Sequence, residues 1–313
     1  MGLVSMSAKR VPVLCTASEF GVYSSKPVDL LKSAGIELDL NPFKRKLSES
    51  EVKSLLSKKG YVGVLAGLEP LTYGVLSNSK VKVISRVGVG MDNVDPRAAE
   101  DLGIRVYNTP NVLTQSVAEL ALGLILCALR GISLSDRRLH QKIWERYMGN
   151  LLDGKVVGII GFGVIGQRVG ELVRAFGAKV IFYDTRKIDS WAPQVGLSNL
   201  LARSDIITVH ASGREPIIRG EEISKMKEGV ILINTARGNL IEERALIKAL
   251  MDGKVAWAAL DVFKEEPYKG KLAEIDNVTL TPHIGSYAKE ARIEMEIKAA
   301  ENLIKGLKEV GLI

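Results

Sequence analysis

Short apolar runs alternate with amphipathic stretches through the first 105 residues of the chain. Runs at 11–15, 36–40, 62–66, 81–85 and 104–107 have the length of buried strands, whereas 26–34 and 48–58 carry apolar positions at helical spacing. Strand and helix in alternation predict a small parallel sheet with its own helices. A second series opens at residue 156, with strand-like runs at 156–160, 179–184, 206–209, 230–234, 255–262 and 278–281. Between its first two strands, residues 167–176 put Val169, Leu172, Val173 and Phe176 on one helical face. Residues 288–308 follow the last strand as a long amphipathic helix, able to return to the first series. The pattern therefore predicts two α/β domains: one made of 1–105 and 285–313, the other of 106–284.

The join between the first strand and helix of the second series reads Gly161-Phe-Gly-Val-Ile-Gly166. In that context Gly161 permits a tight turn, Gly163 lets the backbone approach a pyrophosphate, and Gly166 lets helix and strand pack closely. Free N–H groups at the helix start attract the anion. The next strand ends in Asp184, about 20 residues on, where an acid accepts hydrogen bonds from the adenosine ribose and repels a 2′-phosphate. That favours NAD over NADP, although Arg186 and Lys187 just beyond the acid offer cations to a phosphate. The fold class expected is α/β, a Rossmann-type doubly wound parallel sheet with a smaller flavodoxin-like domain.

Composition changes the picture little. With 313 residues, 46% hydrophobic and 25% charged, the chain has ample core for two domains and is not disordered. The longest apolar stretch, 117–129, contains Glu119 and falls short of the roughly 20 residues of a spanning helix. The start has Gly2 but no Ser or Thr at position 6, and no charged region precedes an apolar one, so a cytoplasmic protein is expected. Cys15 and Cys127 form no metal-binding spacing and read as core thiols. A net charge of +7 raises nucleic-acid binding, but the cations are scattered apart from Lys44–Lys46 and Arg137–Arg138, with no interleaved aromatic platform. An anionic cofactor and substrate account for the charge as well.

Three residues in the last quarter each stand just past a strand-like run: Arg237 after 230–234, Glu266 after 255–262 and His283 after 278–281. The carboxyl ends of neighbouring strands form one crevice in an open α/β sheet. A guanidinium offers a planar fork to a carboxylate, and a carboxylate beside an imidazole favours imidazolium and orients the ring. Such a histidine can protonate an alkoxide as hydride reaches a carbonyl, and serve as base in reverse. His140, in a charged helical segment, reads as solvated; His210, at a strand end, reads equally as crevice-lining or structural. Gly88 and Gly90 permit a turn whose N–H groups face a small anion.

Taken together, residues 85–95 (SRVGVGMDNVD), 108–111 (NTPN), 116–120 (SVAEL), 144–155 (WERYMGNLLDGK), 234–238 (NTARG), 259–267 (ALDVFKEEP) and 281–285 (TPHIG) with the glycine turn resemble the D-isomer-specific 2-hydroxyacid dehydrogenases, and among them most the phosphoglycerate dehydrogenases. The resemblance implies a substrate domain made from both chain ends, a central nucleotide-binding domain and a homodimer built around the helix region starting near Ser116. It implies that Arg237 binds carboxylate, Glu266 supports His283, and His283 is the acid/base. It puts Val164, Ile165 and Asp184 at the adenine half of NAD, with Ala211, Thr235, Ala236, Asp261 and Gly285 toward the nicotinamide, and Val89 and Gly90 with Gly88 at the substrate floor. One departure stands out. Where phosphoglycerate dehydrogenases carry an Arg, this chain has Glu69, and an acid there opposes a phosphate unless Arg86 or Lys44–Lys46 compensates. 3-Phosphoglycerate is the first substrate expected, with glyoxylate or hydroxypyruvate as alternatives and a non-enzymatic NAD-sensing module as the reading from another class. The family's serine-binding extension does not follow the terminal helix, so feedback by serine is not expected.

Overall fold

The computed structural model describes residues 10–313, so the start-of-chain features lie outside the described residues. Within the described residues two compact units emerge, one running up to residue 113 and taking in 288–313, the other formed by 114–287.

The first unit holds strands β1 (Val11–Cys15), β2 (Ile36–Asp39), β3 (Gly63–Ala66), β4 (Val83–Arg86) and β5 (Arg105–Tyr107). They pair in parallel in the order β2-β1-β3-β4-β5. β3 and β4 are buried along their whole length; β3 accordingly reads as a continuous apolar run, whereas β4 also buries Ser85 and Arg86. Helices α1 (Lys26–Ser33), α2 (Glu49–Lys58), α3 (Tyr73–Leu76) and α4 (Pro96–Asp101) connect them. Ser48 caps α2 by accepting the N–H of Glu51, whose side chain returns to the Ser48 N–H.

The second unit opens with α5 (Thr114–Arg130) and α6 (Ile132–His140), then winds through β6 (Val156–Ile160), α7 (Val164–Ala175), β7 (Lys179–Tyr183), α8 (Leu197–Arg203), β8 (Ile206–Val209), α9 (Gly220–Ser224), β9 (Val230–Asn234), α10 (Glu243–Met251), β10 (Val255–Leu260) and β11 (Val278–Leu280). The sheet is parallel in the order β11-β10-β9-β8-β6-β7. Its strand order reverses at β6/β8, the switch point where open α/β sheets bind ligands at the carboxyl ends of the strands. The apolar stretch 117–129 lies within α5, whose Ala118, Ala121, Ile125 and Ala128 are buried in the core with Val169 and Val173 of α7. No single helix among the described residues is long and apolar enough to cross a membrane; α5 and α6 reach that length only as a pair bent by 65°.

The last helix, α11 (Lys289–Glu309), belongs to the first unit. Met295, Ala299, Leu303 and Leu307 share a core with Val13, Leu65 and Val83, and the Ser85 hydroxyl donates to the Ala299 carbonyl at 2.8 Å. The first unit extends past residue 105 because β5 pairs with β4. The second keeps residues 285–287 because the Ile284 and Gly285 N–H groups are held by Asp261.

Candidate active site

The glycine turn sits at the β6/β8 switch point. Gly161 has φ +88°, a left-handed conformation that favours glycine, and a Cβ there would also collide with the backbone of Ala211. A Cβ at Gly166 would run into the Gly161 carbonyl oxygen, whereas nothing stands near Gly163. Gly163 is the N-cap of α7 and no side chain caps that helix, so its first N–H groups are open to an anion. Val164 and Ile165 begin the helix. The turn is therefore shaped for a pyrophosphate.

Asp184, at the end of β7, accepts the Phe162 N–H at 2.9 Å and the Arg186 N–H at 3.0 Å. Burial works to raise its pKa, but those hydrogen bonds and the Arg186 guanidinium hold it below the ordinary carboxylate value. The acid thus presents a fixed negative charge. Arg186 has turned toward it, with Nε 3.5 Å from Asp184 Oδ1.

At the carboxyl end of β9, Asn234 shapes the next turn: its Oδ1 accepts the Ala236 N–H at 3.0 Å and its Nδ2 donates to the Arg237 carbonyl at 2.9 Å. Thr235 is buried and Arg237 half-buried, its Nη1 donating to the Ala236 carbonyl at 2.8 Å. Glu266, after β10, accepts the Phe263 N–H through Oε1 and lies 2.8 Å from His283 Nδ1 through Oε2. That contact is the largest influence on His283, raising its pKa; burial lowers it, Asp261 adds to the rise, and Arg237 is near enough to oppose it. With Nδ1 engaged, Nε2 is the nitrogen left for proton exchange. The loops after β9, β10 and β11 thus bring together a guanidinium, a carboxylate and an imidazole held toward its charged form.

Asp261 is buried, and its carboxylate is occupied by the loop that carries His283. Oδ1 accepts the Thr281 hydroxyl at 2.6 Å and the Ile284 N–H at 2.8 Å; Oδ2 accepts the Gly285 N–H at 2.9 Å. His283 itself has φ +54°, a conformation most side chains avoid, and these bonds hold the backbone on both sides of it. Asp261, expected toward the nicotinamide, thus also ties down the loop that carries His283. Neither Asn234 nor Thr281 stood out in sequence, because their bonds are visible only once neighbouring loops are folded together.

The other histidines divide cleanly. His140 is exposed near Asp136. His210 is half-buried, with Nε2 2.8 Å from the Thr208 hydroxyl and Nδ1 3.5 Å from that of Thr235, and loss of solvent around the ring pushes its pKa down to about 4. It is neutral at physiological pH and cannot be the imidazolium.

In the first unit, the Gly88 and Val89 carbonyls accept from the Thr109 N–H and the Asn108 side chain, which fixes the turn that continues into Gly90. Gly88 has φ +152° and lies against the Arg86 guanidinium, which donates to the Val87 carbonyl. Arg86 is buried. Glu69 is wholly buried and turned inward, held by the Thr16 hydroxyl and the Gly67 N–H, and burial raises its pKa. Arg45 is paired with Glu51 at 2.6 Å, while Lys44 and Lys46 are exposed.

Residues 122–285 match the family described as D-isomer specific 2-hydroxyacid dehydrogenase, NAD binding domain. The chain belongs to this family. A hydroxypyruvate reductase from Thermotoga maritima is 39% identical over 272 residues, covering 83% of this chain and 89% of its relative. A D-3-phosphoglycerate dehydrogenase from Archaeoglobus fulgidus is 36% identical over 299 residues, 91% of this chain but only 56% of that protein. Among solved structures, a glyoxylate reductase from Paecilomyes thermophila superimposes with a TM-score of 0.85 at 28% identity, covering 98% of both chains. The chain is an NAD-dependent 2-hydroxyacid dehydrogenase, and the residues at the β6/β8 switch point fit that cofactor.

Proposed function

We propose that the enzyme interconverts a short, unphosphorylated 2-keto acid, hydroxypyruvate or glyoxylate, with its 2-hydroxy acid of D configuration where C2 is chiral. The observation that carries the chemistry is the 2.8 Å Glu266–His283 pair with Arg237 in electrostatic reach. When bound, NADH supplies the hydride that adds to the carbonyl carbon. Arg237 binds the substrate carboxylate and fixes the carbonyl beside it. His283 Nε2 gives its proton to the carbonyl oxygen, and Glu266 stabilises the imidazolium before that transfer and keeps the ring oriented after it. Gly161, Gly163 and Gly166 receive the pyrophosphate and Asp184 the ribose, while Thr235, Ala236, Ala211 and Gly285 line the nicotinamide side. The first unit is the substrate domain, with the turn through Gly88, Val89 and Gly90 as its recognition loop.

The preference for an unphosphorylated acid rests on a missing cation, since Glu69 itself is buried and turned inward. Glu69 stands where a phosphate-binding Arg is expected, and Arg86 is buried with Nη1 donating to the Val87 carbonyl. The hydroxypyruvate reductase relative, matched over 89% of its length, supports the same preference. A second reading, 3-phosphoglycerate oxidation, draws on the exposed Lys44 and Lys46 and on the phosphoglycerate dehydrogenases among the relatives. Following NADH absorbance against hydroxypyruvate, glyoxylate, pyruvate and 3-phosphohydroxypyruvate decides between them. We expect kcat/KM to be higher for hydroxypyruvate or glyoxylate than for the phosphorylated acid by about tenfold or more, since an unmatched phosphate loses at least one charge-assisted hydrogen bond. The reverse order assigns the enzyme to 3-phosphoglycerate.

The working unit we propose is a homodimer. After α6, Trp144, Met148 and Leu151 are 80%, 92% and 70% exposed on a segment whose backbone is nonetheless anchored. Tyr147 packs edge-on against Trp257, and the Asn150 N–H donates to the Leu129 carbonyl. Apolar side chains held out on a fixed backbone suit a second copy of the chain. Light scattering should give twice the chain mass, and Trp144→Glu with Met148→Glu should halve it. Two unpaired cysteines, Cys15 buried, fit the reducing cytoplasm as its location.

A further inference from the structure

In the first unit, α11 carries a charged pair on its buried face. Arg292 and Glu296, one turn apart, are 10% and 0% exposed by side chain and lie 2.8 Å apart from Nε to Oε1. Both reach into the loop between β1 and α1. Glu296 Oε2 accepts the Gly21 N–H at 2.9 Å, and the Arg292 guanidinium donates to the Glu19 carbonyl. Between those anchors Phe20 is buried, and Gly21 takes φ +77° with no room for a Cβ beside Val28. The loop is fixed at three successive residues, and the next two, Val22 and Tyr23, project into solvent.

The position of that loop gives the pair a use. The strand order β2-β1-β3-β4-β5 reverses between β1 and β3, so the loop leaving β1 flanks the switch point of this sheet at the strands' carboxyl ends, where such sheets bind ligands. Burying two charges is expensive, and an apolar pair of similar volume would hold α11 on the sheet at least as well. What an apolar pair cannot do is bond the Glu19 carbonyl and the Gly21 N–H. We propose that Arg292 and Glu296 are positioning residues for substrate recognition, holding the β1–α1 loop in the conformation that receives the side chain of the 2-keto acid. This rests on the reading of the first unit as the substrate domain.

The test is Arg292→Met with Glu296→Leu, which keeps the volume and removes both loop contacts. We expect the melting temperature of wild type or higher, unchanged NADH affinity, kcat within about threefold, and KM for the best 2-keto acid raised by about tenfold or more, as for a misplaced substrate contact. Amide hydrogen exchange should speed up at residues 19–23 of the loop and not in the strands of the sheet. Glu296→Gln keeps an oxygen for the Gly21 N–H and should recover most of the KM. A double variant with wild-type KM, or one whose loss appears in kcat and NADH affinity instead, overturns the proposal while the dehydrogenase reading stands. If wild type reduces no 2-keto acid, both readings fall.

Discussion

His283→Gln should reduce kcat for keto-acid reduction by about 10²- to 10⁴-fold, the range general acid catalysis contributes. The NADH dissociation constant should stay near wild type, because the variant removes a proton donor and leaves the glycine turn untouched. Gln can occupy much of the imidazole volume and still hydrogen-bond Glu266, so packing survives. It cannot carry a transferable proton. Stopped-flow measurement of NADH consumption at saturating substrate isolates the step, and a kcat within threefold of wild type would remove His283 from the chemistry.

The same residue fixes the sign of the pH dependence. In the proposed mechanism hydride addition to the carbonyl requires His283 protonated, and the Glu266 hydrogen bond raises its pKa above the ordinary histidine value. Reduction should therefore decline as pH rises past that elevated pKa, whereas oxidation of the hydroxy acid, which needs neutral imidazole, should gain over the same interval. Glu266→Gln removes the carboxylate and should shift both limbs toward lower pH. His210 contributes nothing to either limb in this interval, since burial holds its pKa at about 4.

The strands and the glycine turn were legible because their signals are local. A buried parallel strand is a short apolar run, and Gly161 and Gly166 are demanded by a positive φ and by close contact between neighbouring segments. Arg237, Glu266 and His283 were legible as residues just past strands, since a parallel sheet collects strand ends on one side. Asp261 shows where such reasoning stops. Its place after β10 was evident, but that its carboxylate accepts from Thr281, Ile284 and Gly285 depends on the path of a loop 20 to 24 residues away. Glu69 is similar: sequence gave its charge, and only the folded loop turned it inward against Thr16. Short helices such as α3 and α9 carry too few residues to show a period. The unit boundary moved past residue 105 because pairing of β5 with β4 is a tertiary fact.

Arg237→Ala should lower kcat/KM by about 30- to 5,000-fold, the equivalent of the roughly 2–5 kcal/mol lost when one partner of a desolvated, hydrogen-bonded charge pair is truncated. The loss should divide between the two constants. KM rises because the substrate carboxylate no longer meets its fork, and kcat falls because the carbonyl is then free to tilt away from His283. Arg237→Lys restores the charge without the planar pair of donors, so it should recover part of KM and little of kcat. Free guanidinium added to the alanine variant should rescue activity in a saturable way, while leaving His283→Gln unchanged. That contrast separates a binding fork from a general electrostatic effect: removal of Arg237 also removes a cation that works to lower the His283 pKa, which by itself would favour the imidazolium and speed reduction at high pH. A variant whose reduction rate rises with pH held above neutrality would show that the charge acts mainly through His283; a uniform loss across pH, reversed by guanidinium, is the expected outcome.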